Sequence, residues 1–516
     1  MEVANEEWKR NIWNGIQQAM NKRVLISIVI ILTILIAVIA TGYRTQPSVT
    51  TTSPEAYEFY LKGLDRNQNF YHAEAIGFLE KAIELDSEFA MAYLQLFFSY
   101  NSSGKYVKSR QMIEKATLLK EYVSEREALI IEINKNMGEQ HNQALADSLI
   151  EALYQEYPKS LEAHLYKARL AVRENDTEDA IKFYNNVVDI DEDYAPVYNI
   201  LGYMYAELNR YDEAIENLKK YAKKAPGEVN PYDSIGEILI RVGRYDEALE
   251  SLKKGLEIKP ELTVTESFLG AAIHKNIGNA YFGRGQISEA VKNFDLATSL
   301  YPGEYVLLDA VLNKYLALVL SRRWNDFNSN SEGLDELDAN ERTKPFKHLI
   351  KGIYHLAHKD IQSAIDESEG MKNIIISLSE ENSYVYDRLD PINGMLDADI
   401  KISQGRYSEA VEIFTERCLK SDLTKHSSWF NWRLAEAYRL NEQYEKSKGI
   451  VESVLSINPN DYILRSLLVQ VYFNEGDYKS AKSELKRVKS LLSQSDSDLI
   501  FNASMRKIEE ALEVLL

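Results

Sequence analysis

Apolar and polar positions follow a helical step along most of this chain, and between Ala195 and Leu262 one pattern is written twice. APVYNILGYMYAELNRYDEAIENLKKYAKKAPGE is followed at once by VNPYDSIGEILIRVGRYDEALESLKKGLEIKPEL. Superposed, Gly202 falls on Gly236, Tyr211 on Tyr245, Ala214 on Ala248, Leu218 on Leu252 and Pro226 on Pro260, each 34 residues apart. That is the period of a helix–turn–helix tandem repeat, so each copy predicts two helices. Gly202 and Ala214 are small where the two helices cross closely, Tyr205 and Leu218 fill the space beside the crossing, and Tyr211 opens the second helix. Pro226 forbids continuation and sets the turn into the next copy. One such hairpin cannot bury its own apolar face, so the unit predicts a stacked array.

The phase extends in both directions. Gly63, Ala75, Leu79 and Ala82 hold the repeat positions of a first unit at about 56–89, and residues 90–126 form a degenerate one. Ala146, Ala180, Ala214 and Ala248 then keep the 34-residue step. An insertion of 8 residues, Thr263–Gly270, precedes the next equivalent alanine, Ala290, whose unit carries Gly278, Tyr281, Phe294, Ala297 and Pro302. Residues 305–338 fit poorly, although Leu312 and Tyr315 keep a first helix apolar. Later units are marked by Gly352 and Ala364, by Gly405 and Ala410, by Leu434, Ala435, Tyr438 and Pro459, and by Tyr472, Tyr478 and Ala481. The period gives about twelve units. It divides the array into a regular part, 56–304, and a divergent part, 305–495, with 496–516 expected to cap the last apolar face.

Tyr198, Leu201, Gly202, Tyr205, Ala214, Leu218 and Pro226 resemble the tetratricopeptide repeat (TPR) pattern. The resemblance implies an all-α, right-handed superhelix, an α-solenoid, whose concave groove takes a protein or peptide partner. Carried over position by position, the groove lining is Arg169 and Arg173, then Asn199, Tyr203 and Glu207, then Asp233, Glu237 and Arg241, then Lys275 and Asn279. Lys275 and Asn279 also match the first part of the family's clamp for a C-terminal carboxylate, but Ala310, Phe346 and Ile350 stand where its remaining polar residues belong. The entry to the array resembles those behind the single membrane span of some bacterial signalling proteins. The 23 residues before the span are too few for their cytoplasmic effector domain.

That span is VLISIVIILTILIAVIA, Val24 to Ala40, uncharged and extended by Thr41–Tyr43. About 20 such residues cross the hydrocarbon core as a helix. A cleaved signal peptide, with Val38 and Ala40 before the cut, competes with a signal anchor, but the run exceeds the usual apolar length of a signal sequence. Residues 1–23 place Trp8, Ile12, Trp13, Ile16 and Met20 at helical spacing, as in a segment lying in the lipid interface or packing on a partner. Lys9, Arg10, Lys22 and Arg23 precede the span and only Arg44 closely follows it, which predicts a cytoplasmic N-terminus and an extracytoplasmic array. Residues 44–55 read as a polar linker.

The net charge of −19 argues against nucleic acid as a partner. Cys418 is the only cysteine, so no intramolecular disulfide forms. His348, His355 and His358 share a helix side without completing a usual metal set, and Asp189, Asp191 and Asp193 imitate a calcium loop that lacks its glycine and glutamate. No metal site, cofactor or enzymatic motif is expected. The sequence therefore reads as a membrane-anchored interaction scaffold or assembly factor. Its alternatives are a sensory or regulatory subunit acting through a separate effector, and an enzyme with a site between repeats.

Overall fold

The computed structural model describes residues 49–138, 142–263, 268–300, 304–329, 334, 337, 341, 343–381, 383–419, 428–496 and 500–515. The tail 1–23, expected at the lipid interface, and the apolar run 24–43 lie outside them. Among the described residues no helix is long and apolar enough to cross a membrane.

Every regular element among the described residues is helical. In chain order they are α1 (Pro54–Gln68), α2 (His72–Leu85), α3 (Ala90–Ser102), α4 (Tyr106–Leu118), α5 (Glu125–Gly138) and α6 (Gln143–Glu156). Next come α7 (Leu161–Arg173), α8 (Thr177–Ile190), α9 (Ala195–Glu207), α10 (Tyr211–Lys224), α11 (Asn230–Arg241) and α12 (Tyr245–Ile258). They are followed by α13 (Phe268–Gly283), α14 (Ile287–Leu300), α15 (Glu304–Leu320), α16 (Trp324–Ser329), α17 (Lys344–Ala357) and α18 (Ile361–Glu381). The last are α19 (Ser383–Ser403), α20 (Tyr407–Ile413), α21 (Ser428–Leu440), α22 (Tyr444–Ile457), α23 (Tyr462–Glu475), α24 (Tyr478–Leu491) and α25 (Ile500–Leu515). The chain forms two compact units, one ending at Leu153 and the other beginning at Tyr154.

The small residues work as the spacing predicts. A Cβ on Gly202 would lie 2.6 Å from Leu218 Cγ, and one on Gly236 would lie 2.5 Å from Leu252 Cγ. Gly63 meets Leu79 and Gly278 meets Phe294 in the same way, 16 residues on. Ala75, Ala146, Ala180, Ala214, Ala248 and Ala290 are fully buried. Where the pattern degenerates, serine takes the alanine's place. Ser109 Oγ donates to Phe97 O at 2.9 Å and Ser447 Oγ to Ala435 O at 2.7 Å, so each buried hydroxyl is satisfied by a carbonyl of the preceding helix.

The turn inside each pair has its own signature. Residues with positive φ recur there at Asn175, Asn209, Gly243, Gly285, Gly405 and Gly476. The next amide closes the helix end: Arg210 N donates to Tyr205 O at 2.9 Å and Arg244 N to Leu239 O at 2.8 Å, the six-to-one bond of a left-handed helix cap. Between α12 and α13 a short 3₁₀ turn, Pro260–Thr263, occupies part of the insertion, and its last residues from Phe268 lengthen α13. Divergence at 344–403 has a structural counterpart. α18 and α19 each run 21 residues, and Gly352 approaches Leu396 of α19 instead of a side chain on α18.

In the first unit, part of the polar linker is docked. Val49 is buried, Thr50 N and Oγ1 donate to the Glu127 carboxylate at 2.7 and 2.6 Å, and Thr51 Oγ1 and Thr52 N reach Asp86 Oδ2 at 2.6 and 2.8 Å. Burial opposes the Asp86 carboxylate, but these bonds and the Glu88 amide outweigh it and lower its pKa. In the second unit, α25 sets Met505, Ile508 and Leu512 in one apolar cluster with Leu485 and Val488 of α24.

Candidate functional site

Equivalent positions on successive first helices of the repeats stand side by side, so side chains 34 residues apart form rungs. Tyr203 Oη donates to Glu237 Oε2 at 3.0 Å, and Asn313 Nδ2 donates to Asn279 Oδ1 at 3.0 Å. Arg241 pairs with Glu207 at 3.6 Å, and Lys275 pairs with Asp309 at 3.6 Å. Six of the ten residues expected in the groove thus belong to this ladder.

The other four are placed differently. Asp233 is buried and accepts from Asn276 Nδ2 at 2.9 Å. Burial and the neighbouring Glu237 push its pKa up to about 7, against the opposing pull of Asn276 and Lys275. Asn199 is half-buried, with a buried Oδ1 that has no partner among the described residues. Arg169 and Arg173 are exposed on α7, the former 5.4 Å from the Tyr166 ring centroid.

Opposite the ladder stand helices that sequence reasoning did not bring there. Asn458 Nδ2 donates to Tyr245 Oη at 2.9 Å and Asn460 Nδ2 to Gly243 O at 3.0 Å. Further along, Asp496 N donates to Gly285 O at 3.0 Å, while its carboxylate accepts from Ser288 N at 2.8 Å and pairs with Arg323 at 2.7 Å. The second unit is therefore folded back on itself, and a cavity of about 1010 Å³ lies between the two walls. Glu207, Tyr211, Arg241, Tyr245, Asn279 and Phe282 line one side, and Trp429, Trp432, Tyr438, Lys446, Asn458 and Tyr462 the other. Of the ten expected residues only Glu207, Arg241 and Asn279 reach this cavity.

The cavity offers aromatic faces and paired charges. Trp429 and Trp432 stand 4.8 Å apart at 61°, and the Glu207–Arg241 pair is part of the lining. Burial pushes the Tyr245 phenol above its usual range, and the nearby Asp461 carboxylate adds to that push. Asp461 is the N-cap of α23, accepting from Ile463 N and Leu464 N at 3.0 Å each. This wall was not expected from the sequence; the signal left unused is the pair Trp429 and Trp432, one turn apart in a chain with 5 tryptophans.

A smaller apolar cavity, about 180 Å³, is lined by Phe346, Leu349, Ile350, Ile353, Met395 and Trp429. Two of the positions that break the carboxylate clamp, Phe346 and Ile350, lie here, and the third, Ala310, is buried. The three histidines engage separate partners. His348 Nδ1 lies 2.6 Å from Glu367 Oε2, His355 lies 3.5 Å from Asp360, and the His358 ring packs 4.5 Å from Trp324. Among the described residues no cluster of metal-ligating side chains occurs. Of the calcium-like aspartates, Asp189 belongs to the last turn of α8, and Asp191 and Asp193 sit in the inter-repeat turn after it, where Asp193 pairs with Lys224 at 2.6 Å.

A tetratricopeptide repeat model matches residues 195–226 and 229–262, and a second tetratricopeptide repeat model matches residues 139–195. No curated protein matches the chain. Among solved structures, a human IFIT1 dimer with PPP-AAAA is similar at 16% identity, over 73% of this chain and 96% of that one, with a TM-score of 0.40. Yeast Tom70 is similar at 14% identity over 89% of this chain and 96% of that one, TM-score 0.37. MamA of AMB-1 is similar at 24% identity over 34% and 95%, TM-score 0.26. The family match and the Gly202–Leu218 and Gly236–Leu252 crossings agree: the chain carries tetratricopeptide repeats within residues 139–262.

Proposed function

We propose that this chain is a membrane-anchored interaction scaffold, without catalytic activity of its own, that holds a protein segment between the two walls of its second unit. The observation that carries the reading is the cavity in which the Glu207–Arg241 rung faces Trp429 and Trp432. Aromatic anchors in a water-excluding pocket supply affinity, and paired charges set register. Its volume stands at the upper end of the usual range for ligand sites, about 300–1,000 Å³, which suits a short extended peptide. The family's fold, a right-handed superhelix, supports the same use.

The anchor reading rests on the uncharged run 24–40 and on the basic residues before it. With residues 1–23 cytoplasmic, the span at 24–43 places both the regular array to 304 and the divergent array to 495 on the extracytoplasmic side. The test is quantitative co-purification from solubilised membranes. Trp432→Ala with Arg241→Glu is expected to lose the partners that the native chain retains. Lys219→Glu with Lys220→Glu, on the outer helix α10, is expected to keep them. Equal retention by both variants would contradict the reading.

A further inference from the structure

The first unit carries a surface that the interaction site does not use. Helix α4 buries Ser109, Ile113 and Ala116 against its neighbours, so its outward stripe passes through Val107, Gln111, Glu114 and Leu118. An outward stripe on a soluble helix is ordinarily polar. Here Val107 is 74% exposed and Leu118 71%, flanked by Tyr106 at 67% and, on the 3₁₀ turn Lys120–Tyr122, by Tyr122 at 70%. Exposed Lys105, Lys108, Arg110 and Lys115 outnumber the exposed acids of the same stretch, Glu114 and Glu121, in a chain whose net charge is −19. Apolar and aromatic tips set among lysines are the chemistry of a segment lying on an anionic lipid surface.

The position of this surface points the same way. Glu127 accepts from Thr50 at 2.6 Å and, with the same Oε2, from Ser124 Oγ at 2.6 Å. The chain coming from the apolar run is thereby fastened two residues from Tyr122. Seven residue steps lead from Tyr43 to Thr50, so the attachment point lies within about 25 Å of the end of the run at 3.3–3.6 Å per residue. We propose that the outward face of α4 and the following turn, with Tyr106, Val107, Leu118 and Tyr122 among Lys105 and Lys108, rests on the anionic phospholipid surface of the membrane that holds residues 24–43. This inference rests on the reading of residues 24–43 as an anchor.

The test uses the full chain with Val107→Cys in a Cys418→Ser background, labelled with bimane and reconstituted in nanodiscs carrying a headgroup-region nitroxide lipid. Quenching is expected to be roughly twofold or more stronger in discs containing phosphatidylglycerol than in pure phosphatidylcholine. It should fall to the phosphatidylcholine level in Lys105→Glu with Lys108→Glu, with helicity by circular dichroism unchanged. A chain that stays with the discs but shows no lipid quenching overturns the inference and leaves the anchor standing. A label shielded from aqueous iodide yet untouched by the lipid nitroxide means that a protein covers this face, which also overturns it. A chain that does not stay with the discs overturns both readings.

Discussion

Asn458 donates its side-chain amide to the Tyr245 hydroxyl at 2.9 Å, across 213 residues of chain. The bond ties the start of one repeat's second helix to the end of another's, and with the Asn460–Gly243 and Asp496–Gly285 bonds it belongs to the contacts that join repeats far apart in sequence. Tyr245→Phe and Asn458→Ala are expected to be coupled. A double-mutant cycle should return about 0.5–1.5 kcal/mol, the usual net worth of such a bond. Hydrogen exchange at the amides of 243–245 and 458–461 should quicken together in either variant. Independent effects at the two places would show that the walls do not close in solution.

Gly243 is held at φ +74°, and a Cβ there would collide with the Asn458 amide. Replacing it with alanine thus combines a left-handed backbone, costing about 1–2 kcal/mol, with a clash at the closure. Gly476 has φ +89° and open space around its Cα. Gly476→Ala is expected to carry the backbone cost alone, so comparing the two variants by urea unfolding isolates the contribution of closure. Equal losses would contradict it.

Ala214 is fully buried at a crossing where Gly202 receives Leu218. Ala214→Leu should overpack it at a cost of about 1–3 kcal/mol. The loosening, read by hydrogen exchange, should concentrate in α9–α12, because each repeat leans on its neighbours. Uniform loosening across the second unit would contradict that locality.

The crossings were legible because they are local: Gly202 and Leu218 are 16 residues apart, and the same pair recurs at Gly236 and Leu252. The unit at 90–126 read as degenerate in part because serine stands at its crossing: Ser109 is polar in the one-dimensional pattern and is satisfied only by a carbonyl on the facing helix. The ladder was half legible. Register alone brings Glu207 beside Arg241 and Tyr203 beside Glu237, but it does not reveal that Asp233 is buried. The second wall left almost no trace, because single polar residues such as Asn458, Asn460 and Asp496 have no period to announce them.

Asp233 gives the second unit a pH dependence. Its pKa is pushed up to about 7, so between the ordinary carboxylate value and that pH the folded chain keeps a proton that the unfolded chain has lost. Stability therefore falls as pH rises through this window and levels off above it, by about 1.4 kcal/mol per unit of raised pKa. Asn at this position keeps an acceptor for Asn276 and never ionises. Asp233→Asn should gain on the native chain between about pH 5 and about pH 8, read by protection of the α11 amides. Parallel curves for the two proteins would contradict the assignment.

Orientation is tested at Glu55, exposed at the start of α1. Burial pushes the Cys418 thiol up to about 12, so it does not compete for a maleimide near neutral pH. Glu55→Cys is expected to react with a membrane-impermeant maleimide in intact cells. Labelling only after lysis would place the array on the other side.

Site-specific photocrosslinking in cells tests the interaction site most directly. A benzophenone amino acid replacing Trp432, at the cavity wall, is expected to give a discrete adduct with a partner protein, and Arg241→Glu is expected to abolish it. The same probe replacing Lys219 should give none. Adducts from position 219 but not 432, or an adduct at 432 indifferent to Arg241→Glu, would contradict the claim that the partner is held between the two walls.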